Sequence, residues 1–102
     1  MNRAYRYSFA PDIPSEDIES ALLLSVIAAE SLHGEADVRL DAGHVFDAAA
    51  GQCVVEATTP VGRDLCRLFT GFLRREFGDH AFRVEPAELA SAVRSAPAAS
   101  AI

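Results

Sequence analysis

The apolar and polar positions of the chain fall into six segments of two different periods. Residues 4 to 9, AYRYSF, alternate: Tyr5, Tyr7 and Phe9 stand against Arg6 and Ser8. That period of two predicts a strand with one buried face. Two prolines in APDIP end it, and Ser15 is placed to cap a helix with Glu16 and Asp17 in its first turn. The helix is expected from Glu16 to His33, with Gly34 as its stop. Next, ADVRLDAGHVFDA alternates Val38, Leu40 and Ala42 against Arg39 and Asp41, which predicts a second strand; Gly43 marks a bulge or divides the segment in two. A turn at DAAAGQ leads to a third strand, CVVEAT. Thr59 and Pro60 open a second helix that closes near Gly78, and AFRVE forms a fourth strand that Pro86 ends.

The predicted order is β-α-β-β-α-β. It resembles the ferredoxin-like split βαβ arrangement, an α+β fold with a four-stranded antiparallel sheet and two helices on one face. The resemblance spans roughly residues 3 to 86 and carries no motif, so it implies no activity. Residues 1–86 are read as one domain, and residues 87–102 as an Ala/Ser-rich tail, weakly helical or disordered.

The first helix departs from the usual pattern. Projection at about 100° per residue places Ile18, Leu22, Val26 and Ala29 on one side, extended by Ala21, Ala28 and Leu32. Leu23, Leu24 and Ile27 lie roughly opposite, among Glu16, Ser20 and Ser31. Either stripe can face the sheet, and the other still needs cover. Leu23, Leu24 and Ile27 are therefore the candidate interface of a homo-oligomer, with a two-fold dimer as the expected form.

Composition narrows the partners. The formal charge of −6 argues against nucleic acid and anionic membrane. All nine basic residues are arginine, and with the many alanines this fits a GC-rich, bacterial coding sequence. On the second helix Arg63, Arg67 and Arg74 form a narrow stripe, read as a solvated face with local pairs such as Asp64 with Arg67, or as a dock for an acidic partner protein. The first ten residues hold no apolar run of the secretory kind, and ALLLSVIAA is too short to span a membrane, so a cytoplasmic protein is expected. Cys53 and Cys66 lack CxxC spacing and are expected to be buried thiols.

Candidate chemistry is sparse. The stretch TTPVGRDLCRLF has two readings. Thr59, Gly62 and Arg63 could hold a small anionic ligand at the helix start, as in a regulatory domain. The favoured reading is plain capping by Thr59, since neither GxxxxGK[ST] nor GxGxxG is present. His33, His44 and His80 are scattered without ligand spacing. Tyr5 and Tyr7 could be stacking platforms for RNA, but they share a side with Phe9 that suits a core. No catalytic, metal-binding or cofactor-binding set is read. The expectation is a non-enzymatic domain acting through homo-oligomerisation or protein interaction.

Overall fold

A computed structural model describes residues 3–87 of the chain. The strand β1 (Ala4–Phe9) is followed by helix α1 (Ser15–His33) and a short second helix, α2 (Glu35–Asp41). The hairpin β2 (His44–Asp47) and β3 (Gln52–Glu56) comes next, then helix α3 (Pro60–Phe77), a 3-10 turn over Asp79–Ala81, and β4 (Phe82–Ala87). The four strands make one sheet in the order β2-β3-β1-β4, every neighbouring pair antiparallel.

The molecule is α+β, but the expected ferredoxin-like element order with two helices is corrected. The order is β-α-α-β-β-α-β, with three helices among the described residues. The difference lies in residues 35 to 41, read as strand and found helical. Val38, Leu40 and Ala42 satisfy a period of two, yet Val38 and Ala42 also satisfy the i, i+4 spacing of a helix face. The helix wins: Val38 and Ala42 are buried, whereas Leu40 is 82% exposed. Glu35 and Arg39 add an i, i+4 ion pair of 2.8 Å. Gly43 thus divides the segment, and only His44–Asp47 pairs with β3.

Three smaller expectations change. Ser15 is the first helical residue of α1 rather than its cap; Pro14 holds the cap position with no side-chain hydrogen bond. Leu32, assigned to the core side of α1, is exposed. Strand β4 runs through Pro86 rather than stopping before it, and Pro86 lies opposite Tyr5. The bond from the Ala10 amide to the Ala81 carbonyl fixes which β4 residues face β1. By alternation these are Arg83, Glu85 and Ala87, so the missing N–H of Pro86 falls on the open side of an edge strand. The tail expected beyond residue 87 lies outside the described residues.

The core lies between one face of the sheet and the helices. Tyr7, Cys53 and Val55 from the sheet meet Ile18, Ala21, Leu22 and Ala29 of α1 and Leu65, Phe69 and Leu73 of α3. The Tyr7 ring lies 4.8 Å from that of Phe69. Its hydroxyl donates to the Cys66 carbonyl (3.2 Å) and bonds Thr70 Oγ1 (2.8 Å), so the one polar atom this ring buries is satisfied. Gly34 and Gly78 close α1 and α3 with φ of 91° and 85°, a region that favours glycine.

Candidate interaction surface

Ile18, Ala21, Leu22, Ser25 and Ala29 of α1 face the core. The Ser25 hydroxyl, fully buried, donates back to the Ala21 carbonyl at 2.7 Å. Two alanines and a serine at i, i+4 spacing let α1 lie close to α3. Three further large side chains point out: Leu23 is 60% exposed, Leu24 54% and Ile27 50%. On either side along this outer stripe, Ser20 donates to the Glu16 carbonyl and Ser31 to the Ile27 carbonyl. Both hydroxyls are thus bonded within their own helix, and the centre of the stripe is apolar.

The outer stripe continues off the helix. A groove of about 300 Å³, lined by Glu19, Leu22, Leu23, Val26, His44 and Phe46, joins α1 to β2. Strand β2 ends the sheet on this side. Neither the groove nor the edge position of β2 was read in the sequence, because both depend on which strands become neighbours.

At the start of α3 the residues read as an anion site bond to one another. Thr59 Oγ1 accepts from the Gly62 amide at 3.0 Å and donates to the Asp41 carbonyl, tying α3 to the end of α2. The predicted Thr59 cap is therefore present. A Cβ on Gly62 would stand 2.2 Å from the Glu56 carbonyl oxygen, so glycine serves here for close approach of helix to strand. Arg63 donates to the Thr58 carbonyl at 3.4 Å. Along the arginine stripe, Arg67 pairs with Asp64 (3.1 Å) and Arg74 with Asp79 (3.0 Å).

At the surface, Asp64 joins two titratable partners, His33 and Arg67. His33 Nε2 lies 2.8 Å from Asp64 Oδ2, joining the end of α1 to the second turn of α3. That hydrogen bond, with Arg67 in support, holds the Asp64 carboxyl below its usual range. No local signal marks this pair, since its partners are 31 positions apart. Among the described residues no three His, Cys, Asp or Glu side chains are grouped to hold a metal ion. Cys53 and Cys66 are free and buried. Burial pushes the Cys53 thiol up to about 12 and that of Cys66 to about 11, which keeps both protonated at neutral pH. Tyr7 is buried against Phe69 and Tyr5 packs on the core, so neither ring offers a free stacking platform.

No family model matches the chain, and neither a curated protein nor a solved structure does. Among the described residues, most of the exposed large apolar side chains gather on α1, where Leu23, Leu24, Ile27 and Leu32 stand outward. No helix among the described residues is long and apolar enough to cross a membrane.

Proposed function

We propose that the chain is a cytoplasmic, non-enzymatic module that works by self-association, as a two-fold dimer built on Leu23, Leu24 and Ile27. One observation carries this reading: α1 has a complete core stripe through Ile18, Leu22 and Ala29, yet holds three further large apolar side chains, Leu23, Leu24 and Ile27, half exposed or more. A helix on a sheet normally turns polar residues outward. A contiguous apolar patch of this kind is suited to a protein interface, and a second copy of the same patch is its most available partner. The reduced, buried thiols fit a cytoplasmic setting.

Sedimentation of the wild-type protein against Leu23→Glu/Ile27→Glu tests this. Both side chains are exposed in the single chain, so the variant keeps its fold by circular dichroism and sediments as a monomer. A wild type that remains monomeric at high concentration would remove the proposal.

A further inference from the structure

We propose that the dimer forms by antiparallel pairing of β2 with β2 of a second copy, giving a continuous sheet with the Leu23 flank of each α1 across the seam. This deepens the reading above and rests on it. Three half-exposed side chains are far short of the ~800 Å² per partner that a stable interface covers. The interface must extend past α1, and a groove leads off the helix past Leu23 and Val26 to His44 and Phe46.

The edge at the end of that groove is ready to pair. The Glu56 amide donates to the Gly43 carbonyl, and the register sets His44 opposite Val55 and Val45 opposite Val54. By the alternation of an antiparallel ladder, Val45 and Asp47 bond to β3, and the N–H and C=O of His44 and Phe46 point away from the sheet. The opposite edge, β4, is blunted by Pro86 and by the charges of Arg83 and Glu85. Strand β2 holds no proline, lysine or arginine, and Asp47, its acid, turns its Oδ1 to the Ala50 amide in the hairpin.

A two-fold axis at Val45 fits these groups. It pairs His44 with Phe46 of the partner subunit and Phe46 with the partner's His44, so both outward sets of hydrogen bonds are made. Val45 meets its own copy on the face away from the helices, as a non-hydrogen-bonded pair with Cα atoms about 4.5 Å apart. Each four-stranded sheet then continues into the other. On α1, Leu23 lies on the groove side, whereas Leu24 is turned about 100° away and sits at the rim. The occupant is thus a second copy of this chain.

Cysteine cross-linking tests the register. A Cα separation of about 4.5 Å lies within the range a disulfide spans. Val45→Cys, mildly oxidised, is expected to form a covalent dimer far faster than Leu40→Cys, an exposed control on α2. Amide exchange gives a readout without substitution: His44 and Phe46 are expected to be protected in concentrated samples and to exchange freely on dilution. Leu23→Glu should weaken dimerisation about tenfold or more, and Leu24→Glu much less. A wild type that sediments as a dimer while Val45→Cys cross-links no faster than Leu40→Cys overturns the β2 pairing and leaves self-association standing. Free exchange at His44 and Phe46 in that dimer overturns it equally. A monomeric wild type removes both.

Discussion

Helices α1 and α3 are nearly equal in length, 19 and 18 residues, and cover the same face of the sheet, yet they sort their side chains in opposite ways. On α3 the large residues Leu65, Phe69 and Leu73 are fully buried, and Arg63, Arg67, Arg74, Arg75 and Glu76 face solvent. On α1 Ile18 and Leu22 are inside with the small residues Ala21, Ser25 and Ala29, while Leu23, Leu24 and Ile27 are outside. The contrast shows that apolar content does not by itself identify a core face. Helix α3 is placed by the volume it buries, and α1 by how closely its small side chains let it approach.

Alkali should break the α3 side of this comparison first and most severely. Cys53, Cys66 and Tyr7 meet where α3 rests on the sheet, and burial raises the pKa of all three. Each is an acid that is neutral in the folded state. Their contribution is intact below the ordinary thiol and phenol range and is lost as pH climbs through about 11 and 12, a loss on the order of several kcal/mol. Denaturant midpoints measured from pH 8 to 12 should fall steadily. A midpoint that holds constant to pH 12 would contradict the burial of these groups.

Side-chain truncation sharpens the contrast. Phe69→Ala should cost about 3–5 kcal/mol, as expected for a buried aromatic. Leu24→Ala, measured at concentrations where the protein is monomeric, should stay within about 0.5 kcal/mol. Comparable losses at the two sites would mean that α1 also places its volume inward. A smaller change, Gly62→Ala, forces a methyl group into the Glu56 carbonyl and should cost about 1–3 kcal/mol in urea melts. Thr59→Ala should cost about 1 kcal/mol for the lost cap. Saturable phosphate binding that Arg63→Ala abolishes would instead give the start of α3 a ligand role.

What could be read in the sequence follows from how local each signal is. The alternation of residues 4 to 9 predicts β1 with its observed bounds, and Thr59-Pro60 with Gly78 brackets α3. Helix α2 was hidden because seven residues are too few to separate a period of two from one of 3.6. The Glu35–Arg39 spacing was the available clue. For the candidate surface, Leu23, Leu24 and Ile27 stood out as a stripe, but which stripe met the sheet depended on the space between α1 and α3. The groove to β2, and the exposed edge beside it, appear only once the strand order is known.

The setting of Tyr7 makes the protein a convenient optical instrument. The chain has no tryptophan and two tyrosines, Tyr5 and Tyr7. The Tyr7 ring sits on β1 against Phe69 and 6.3 Å from Phe82, and its hydroxyl is tethered to Cys66 and Thr70 of α3. Changing Tyr5 to Phe would leave a single fluorophore at the junction of sheet and helix. Its emission and near-ultraviolet dichroism would then record the docking of α3 on β1 in real time, without a dye or an added label.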